Sequence, residues 1–259
     1  MQTWSTERGT LLVFTVGARQ EALRRRLLPP HLSNFERALH SQCLESTLAA
    51  GRTSRCRLLV ASPDCLTLGK QVHHLAQQGT TFGERLRHAY ADARRRYDGP
   101  LLLVGSDTPD LTSDHLRAAL LSLEQNGSRV VLGPSPDGGF YLLATMDPLP
   151  EEIWSQVQWR SRRTLSTLLQ ALREAGRPIE LLPMLTDLDH RSDLQSWLAG
   201  IGGPGSGGNA LRPPMQAWGL LLIHLRRLLK ALCRVAIPPQ LGSPLAMPIF
   251  CWSGRAPPS

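Results

Sequence analysis

Apolar residues along this chain form short uninterrupted runs, and the segments between these runs space their apolar residues three or four positions apart. The runs predict strands that are buried on both faces, and the helical spacing predicts amphipathic helices. The predicted strands are 10–16, 56–64, 100–107, the two halves of 129–145, and 179–185; the predicted helices are 34–51, 82–99, 112–127 and 163–177. Because strands and helices alternate, we expect a three-layer α/β fold in which helices cover both faces of a mostly parallel sheet.

The composition changes sharply near residue 200. Residues 200–214 are rich in Gly, Ser and Pro, which predicts a flexible linker. Residues 215–237 repeat basic side chains every fourth position beside a row of leucines, which predicts a basic amphipathic helix. Its longest uncharged run is too short to span a bilayer, so we expect the helix to lie on an anionic membrane surface or to pack on protein. The predicted organisation is a domain over 1–199, the linker, and a tail over 215–259 that ends in irregular Pro-rich chain.

The net charge of +8 is unevenly distributed along the chain. Residues 1–199 carry 23 Lys and Arg against 21 Asp and Glu, whereas residues 200–259 carry six basic residues and no acidic one. The basic character belongs largely to the tail, which weakens the case for nucleic-acid binding. The five cysteines include no Cys-x-x-Cys pair, which is typical of thiols in a reducing compartment. We expect a cytoplasmic protein with no nucleic-acid partner, and peripheral contact at the inner membrane surface if the tail helix binds lipid.

Carboxylates follow the third predicted strand. Asp107 comes shortly after the buried run 101–104, and Asp110 comes one turn later. Ligands of parallel α/β sheets bind beyond the carboxyl ends of the strands, and carboxylate oxygens suit Mg²⁺ or Mn²⁺. Asp107 is therefore predicted to ligate a metal ion. For Asp110, an equally good interpretation is that it caps the helix that follows.

A second acidic pair follows the last predicted strand. Asp187 and Asp189 are two positions apart, so an extended chain would point both carboxylates to the same side. Together with Asp107 they could clamp one or two metal ions on a diphosphate. The alternative for Asp189 is a structural role as the cap of a helix that starts near residue 191.

Basic residues follow the first predicted strand, at the same edge of the sheet. This segment contains Arg19, Arg24, Arg25 and Arg26. Arginine makes bidentate contacts to phosphate, so the segment is a candidate phosphate site. For each of these arginines, the alternative is a place on the solvated face of a helix.

Two further features allow more than one interpretation. Segment 134–143 contains an Asp-Gly turn with Asp137 at its start, and it is either a loop over a substrate pocket or a plain hairpin turn. His73 and His74 suggest a metal site, but no partner has useful spacing. We interpret them as surface histidines.

Five segments, taken together, resemble a known family. They are GSDTPDLT (105–112), GPSPDGGFYLL (133–143), QQGTTFGERL (77–86), VQWRSRRTLSTL (157–168) and LLPMLTDLDHRSDL (181–194). In order and spacing they are similar to a bacterial group of GT-A-fold, glycosyltransferase-like proteins. Some members are linked to arsenosugar biosynthesis, and the group is related to nucleotidyltransferases of the molybdenum-cofactor guanylyltransferase type. The resemblance covers about residues 10–199 and implies a GT-A, nucleotide-diphospho-sugar transferase fold.

The resemblance also implies roles for individual residues. Asp107 corresponds to the acid that binds metal and nucleotide, and Asp187 with Asp189 correspond to the second acid near the metal. The implied cofactor is Mg²⁺ or Mn²⁺. The implied substrate positions are Asp137, Gly138 and Gly139 in a substrate loop, Gly83 and Arg85 in a Gly-Glu-Arg segment, and Trp159 and Ser161 on the acceptor side.

The segment after the first strand departs from the family pattern. The family has a Pro-Gly turn followed by Val-Lys-Thr-Arg-Leu, a basic loop for the nucleotide phosphates. Aligned without gaps, this chain has Gln20 and Glu21 at the Pro-Gly, Arg24 at the Lys and Arg26 at the Arg. The charge is kept and the turn is lost, and an Arg in place of a Lys changes the geometry of a phosphate contact. The predicted phosphate-binding residues are Arg19, Arg24, Arg26 and Arg85.

The sequence therefore predicts a metal-dependent, glycosyltransferase-like enzyme that uses a nucleotide-diphosphate sugar and a small-molecule acceptor. A divalent cation and basic side chains would stabilise the negative charge that builds on the departing diphosphate. One alternative is a nucleotidyltransferase of the guanylyltransferase type that acts on a phosphorylated acceptor. Another is a divergent, inactive member that serves as a binding module. The sequence identifies no catalytic base, nucleotide base, sugar or acceptor.

Overall fold

The computed structural model describes residues 7–200 together with positions 223 and 225. The rest of the predicted linker and tail, including the membrane contact of the helix at 215–237, lies outside the described residues. Leu225 is fully buried, in a cluster that includes Leu27, Leu39 and Trp197. Of the helices that the structure describes, none combines the length and the apolar character needed to cross a membrane.

A seven-stranded sheet lies at the centre of the described chain. Its strands are β1 (Gly9–Phe14), β2 (Cys56–Ser62), β3 (Val72–Ala76), β4 (Leu101–Val104), β5 (Val130–Pro134), β6 (Phe140–Thr145) and β7 (Ile179–Leu181). In space they follow the order β3-β2-β1-β4-β6-β5-β7. Strand β6 is antiparallel to β4 and β5, and the other pairings are parallel. The prediction of an α/β fold with a mostly parallel sheet is confirmed.

Helices cover both faces of this sheet. They are α1 (Ala18–Arg25), α2 (Ser33–Thr53), α3 (Phe82–Arg96), α4 (Ser113–Gln125), α5 (Glu151–Gln156), α6 (Thr164–Glu174) and α7 (Arg191–Gly200). Helices α2 and α4 share one hydrophobic cluster with the sheet, and α3, α5 and α6 share another. Alternation along β1 feeds both clusters, since Leu11 and Val13 belong to the first and Leu12 to the second. The three predicted layers are therefore confirmed.

Three elements were not predicted from the apolar pattern. Strand β3 contains His73 and His74 and lies at the edge of the sheet, so no uninterrupted apolar run marks it. Helix α5 has only six residues. Helix α1 follows β1 directly and is dominated by charged side chains, and its Leu23 is exposed to solvent. Short or charged elements of this kind lack the periodicity from which helices and strands are predicted.

Candidate functional site

The carboxyl ends of β1 and β4 open into one cleft with a volume of about 840 Å³. Its walls come from α1 and the turn before it, the loop after β4, the β5–β6 turn, and the segments that precede α6 and α7. Ser106 Oγ donates a hydrogen bond of 2.8 Å to Thr15 Oγ1, which ties the loop after β4 to the end of β1. The cleft therefore lies at the edge of the sheet where ligands of parallel α/β proteins bind.

Gly105 gives the side chain of Asp107 room to turn into the cleft. A Cβ atom at position 105 would lie 2.6 Å from Asp107 Oδ1, which is closer than side chains pack. The backbone carbonyl of Asp107 also accepts a hydrogen bond of 2.9 Å from the amide of Leu188. This bond holds the loop after β4 beside the second acidic segment, which is distant in sequence.

Asp187 and Asp189 line the cleft, whereas the side chain of Leu188 between them is buried in the core. An extended segment predicts this alternation. Thr108 Oγ1 donates a hydrogen bond of 2.5 Å to Asp187 Oδ1. Burial, and then the nearby charge of Asp107, raise the pKa of Asp187 to about 7. Asp187 therefore holds a proton at a pH at which an ordinary aspartate is ionised.

The guanidinium of Arg25 lies among these carboxylates. It contacts both Asp107 and Asp189, and its Nε donates a hydrogen bond of 2.8 Å to Glu21 Oε2. Burial acts to lower the pKa of Arg25, but the charges of Asp107 and Glu21 hold that pKa above its usual value. We name Glu21, Arg25, Asp107, Asp187 and Asp189 the acidic end of the cleft.

Asp110 and Asp189 were each considered as possible helix caps, and the structure gives both side chains other partners. At the start of α7, Asp193 Oδ2 accepts hydrogen bonds from two backbone amides, at 2.7 and 3.2 Å. These amides belong to Asp189 and His190, which precede the helix, so Asp193 stabilises the turn that leads into α7. The carboxylate of Asp189 contacts Arg25 instead. Asp110 Oδ1 accepts a hydrogen bond of 3.0 Å from Trp197 Nε1. Asp110 tethers α7 to the loop after β4 and is not the cap of α4.

The structure separates the four arginines that were predicted to bind phosphate. Arg24 and Arg85 line the cleft. Arg19 lines a separate hollow of about 310 Å³ on the other side of α1. Arg26 follows the end of α1 in a left-handed conformation, with φ of 52°, and its Nε donates a hydrogen bond of 3.3 Å to a backbone carbonyl of that helix. Arg19 lies on another side of the helix and Arg26 turns back on it, so both lie outside the cleft.

Trp159 is the centre of an aromatic wall on the opposite side of the cleft. Its ring stacks on Trp154 with ring centroids 5.7 Å apart, and the rings of Phe82 and Phe140 lie 6.1 and 6.3 Å from it. Gly83 makes this packing possible, since a Cβ atom there would lie 2.4 Å from Trp159 Cδ1. We name the four rings of Phe82, Phe140, Trp154 and Trp159 the aromatic wall.

The β5–β6 turn closes another side of the cleft. Gly138 has φ of +90°, and a Cβ atom there would lie 2.1 Å from the backbone oxygen of Arg162. The carbonyl of Gly138 accepts a hydrogen bond of 2.9 Å from the amide of Leu165. Asp137 Oδ1 accepts one of 2.9 Å from the amide of Gly139. The segment is a tight turn between antiparallel strands and also a wall of the cleft, and its role as a substrate loop stays a prediction.

The segment before α6 adds basic side chains that the sequence analysis did not select. Arg160 and Arg162 line the cleft on either side of Ser161. Ser161 Oγ donates a hydrogen bond of 2.9 Å to the carbonyl of Gln158, which stabilises the turn. The half of the cleft near the aromatic wall therefore carries guanidinium groups as well as rings.

Comparison with known proteins identifies the central part of the chain. Residues 35–161 match the model of DUF2064, described as an uncharacterized protein conserved in bacteria. This segment belongs to the DUF2064 family. No curated protein matches the chain.

The chain is similar in fold to solved structures. One is a proposed nucleotide-diphospho-sugar transferase from Desulfovibrio desulfuricans G20, which is 20% identical over 89% of this chain and 98% of its own, with a TM-score of 0.70. Another is the 2-C-methyl-D-erythritol 4-phosphate cytidylyltransferase from Thermus thermophilus, which is 16% identical over 72% of this chain and 95% of its own, with a TM-score of 0.47. The first likeness confirms the predicted nucleotide-diphospho-sugar transferase fold.

The acidic end does not fit a divalent cation as it stands. The space between Asp107 and Asp189 is taken by the guanidinium of Arg25. Among the described residues, no group of three or more His, Cys, Asp or Glu side chains is arranged to hold a metal ion. The three acids predicted as metal ligands, Asp107, Asp187 and Asp189, do line one cleft, but a side chain already supplies the positive charge there.

Arg25 is the residue that the sequence analysis left out of its predicted phosphate site. The only sequence signal for it was its spacing from Glu21, four positions earlier, which is the spacing of a helical ion pair. That signal is meaningful only if the segment is helical, and a helix was the alternative interpretation of this segment, not the one on which the phosphate site was predicted. The helix therefore decides which of the neighbouring arginines faces the carboxylates.

Proposed function

We propose that this DUF2064 protein is a transferase that binds a nucleotide-diphosphate sugar in the cleft and passes the sugar to a small-molecule acceptor. The observation that carries the proposal is the meeting of Arg24 and Arg85 with three rings of the aromatic wall in one cleft, those of Phe82, Phe140 and Trp159. Guanidinium groups recognise phosphate oxygens, and aromatic faces stack on nucleotide bases. A volume of about 840 Å³ lies within the usual range of small-molecule sites.

In the proposed reaction, the bond between the anomeric carbon of the sugar and the diphosphate oxygen breaks. The diphosphate leaves with the bonding electrons, and an oxygen of the acceptor forms the new bond to the anomeric carbon and loses its proton to solvent or to a base. Fixed positive charge beside the departing oxygen stabilises the transition state, because negative charge grows there. Arg24 and Arg85 line the cleft and are the residues that we propose for this role, and we assign no base.

A nucleotidyltransferase is the main alternative. That reaction must neutralise an incoming phosphate and a departing pyrophosphate at the same time, so it makes a greater demand on basic residues. Of the arginines predicted to bind phosphate, Arg19 and Arg26 lie outside the cleft. Their placement favours sugar transfer over nucleotidyl transfer.

Thermal-shift titration tests the proposal. UDP-, GDP- and ADP-sugars are compared with GTP and CTP, each with and without Mn²⁺, and the hydrolysis of any sugar nucleotide that binds is then followed. We expect a nucleotide sugar to raise the melting temperature more than a triphosphate does. Stabilisation by triphosphates alone would favour the nucleotidyltransferase, and no stabilisation by any nucleotide would contradict both enzymes and favour a binding module.

Two arginine variants form a matched pair for the same experiment. Arg85→Met and Arg19→Met each remove one guanidinium, but Arg85 lines the cleft and Arg19 lines the separate hollow. Arg85→Met should weaken binding of the nucleotide sugar by about tenfold or more, the usual effect of losing a charge-assisted contact. Arg19→Met should leave that affinity unchanged. Equal weakening by both variants would place the ligand outside the cleft.

A further inference from the structure

We propose that Arg25 is the resident cation of the acidic end and keeps divalent metal ions out of it. Its guanidinium contacts Asp107 and Asp189, which belong to separate loops, and occupies the space between their carboxylates. A divalent ion bound to the same oxygens would stand within a few ångströms of the guanidinium. Like charges repel strongly at that separation, so the ion could bind only by displacing Arg25.

Helix α1 fixes the guanidinium in this place. Arg25 and Glu21 are four residues apart, so they lie on the same face of the helix. The hydrogen bond of 2.8 Å from Arg25 Nε to Glu21 Oε2 leaves both Nη groups for the acids on the opposite loops. Arg24 Nη2 also donates a hydrogen bond of 2.8 Å to Glu21, which holds the carboxylate in position. The planar fork of Arg25 is therefore oriented from within its own helix.

Displacing Arg25 would leave the negative charge of Glu21 in a part of the cleft that water reaches poorly. The side chain of Glu21 is 7% exposed and that of Arg25 is 11% exposed. If the guanidinium moved away, Glu21 would keep only the contact from Arg24, whose side chain is 40% exposed. Removing one partner of a buried ion pair is strongly unfavourable. We therefore expect Arg25 to stay in place when a metal ion is added.

The exclusion of metal ions does not depend on the proposed function, but its consequence for nucleotide binding rests on that function. If the cleft binds a nucleotide diphosphate, the cation at the acidic end is a side chain, and the diphosphate binds without added metal. The exclusion of metal ions from Asp107 and Asp189 requires no nucleotide and can be tested alone.

Titration of the purified full-length protein with Mn²⁺ alone tests the inference, with the electron paramagnetic resonance signal of free Mn²⁺ as the readout. The proteins compared are the wild type, Asp107→Asn, Arg25→Met, the double variant Arg25→Met/Asp107→Asn, and Arg24→Met as the matched control on the same helix. We expect the wild type and Arg24→Met to leave Mn²⁺ free. Arg25→Met should bind Mn²⁺ at least about tenfold more tightly, and the double variant should lose that gain.

Three results would overturn the inference: binding of Mn²⁺ by the wild type that Asp107→Asn abolishes, no gain of binding in Arg25→Met, or a gain that survives Asp107→Asn. If melting curves show that Arg25→Met does not fold, Arg25→Gln takes its place. If neither variant folds, the wild type decides, since Asp107-dependent binding refutes metal exclusion and its absence supports it. Because no nucleotide is present, failure here differs from the failure to bind nucleotide sugars that would contradict the proposed function.

Discussion

Arg25 at the acidic end and Trp159 in the aromatic wall each join segments that are distant in sequence, but they do so by different forces. Arg25 connects α1 to two loops through charged contacts. Trp159 connects the segment before α6 to α3, α5 and β6 through ring packing. Burial of rings stabilises a fold, whereas burial of charges carries a desolvation penalty that pairing only partly offsets.

This difference separates structural from functional parts of the cleft. An aromatic wall is expected wherever apolar side chains meet, so its position owes much to folding. A group of five ionisable side chains at low exposure is hard to explain by stability alone, and groups of this kind concentrate at functional sites. The acidic end is therefore hard to explain as a structural support, whereas the aromatic wall both stabilises the cleft and offers the rings that we propose to stack on a nucleotide base.

Trp159→Ala should produce the largest loss of stability among variants of the aromatic wall. The change removes ring contacts to Trp154, Phe82 and Phe140 together with the hydrogen bond of 3.2 Å from Trp159 Nε1 to the carbonyl of Trp154. Because Trp159 is only partly buried, we expect a loss of about 2–3 kcal/mol, somewhat below the range for fully buried aromatic residues. Urea denaturation followed by far-UV circular dichroism measures it, and a loss near zero would show that the wall does not stabilise the fold.

Gly83→Ala should produce the next largest loss of stability, about 1–2 kcal/mol, because overpacking strains the structure. The added methyl group would meet Trp159 Cδ1 at 2.4 Å. Gly69→Ala is the matched control, since its nearest contact would be the Nη2 atom of Arg52 at 3.9 Å. If the clash with Trp159 is the cause, Gly83→Ala should cost much less in a Trp159→Ala background. Equal losses from Gly83→Ala in the two backgrounds would point to another cause.

The sequence was sufficient to predict the layers of the fold and the edge of the sheet that carries the acids. Uninterrupted apolar runs such as 101–104 can be buried only when both faces of a strand are covered, and this requirement alone predicts the sandwich of helices around the sheet. Asp107, Asp187 and Asp189 all follow such strands, so their meeting at one edge follows from topology.

The identity of the cation at that edge could not be predicted in the same way. Arg24, Arg25 and Arg26 are adjacent residues of the same type, so the sequence does not distinguish them. The orientation of helix α1 about its axis decides which one faces the acids. The ungapped comparison with the family pattern sets Arg25 against a Thr and so draws attention to its neighbours. Side-chain direction on α1, which depends on tertiary contacts, is what distinguishes the three arginines.

Asp187→Asn should change how stability depends on pH. The pKa of Asp187 is about 7 in the folded protein, against an ordinary value of 3.8. Between these values the folded state binds more protons than the unfolded state, so the contribution of Asp187 to the free energy of unfolding falls as pH rises through this window. Wild-type protein should therefore lose stability relative to Asp187→Asn from about pH 4 to about pH 7 and no further above it.

Urea denaturation at a series of pH values measures this difference. Thr108→Val provides a companion variant, because the Thr108 hydroxyl donates to Asp187 and stabilises its ionised form. Loss of that hydrogen bond should raise the pKa of Asp187 further and extend the decline to higher pH. A pH-independent difference between wild type and Asp187→Asn would show that this carboxyl group titrates normally.

Arg24→Met should have the smallest effect on stability, below about 0.5 kcal/mol, because Arg24 is partly exposed and its partner Glu21 keeps Arg25. Arg24 pairs with Glu21, but the same carboxylate keeps its hydrogen bond from Arg25 Nε when Arg24 is removed. Arg25→Met should cost more, because it leaves Glu21, Asp107 and Asp189 without the cation that they share. Urea denaturation at low and high ionic strength measures both variants, and added salt should reduce the difference between them. If Arg24→Met cost as much as Trp159→Ala, the charged contacts of α1 would be structural supports like the aromatic rings, and the contrast between the two ends of the cleft would fail.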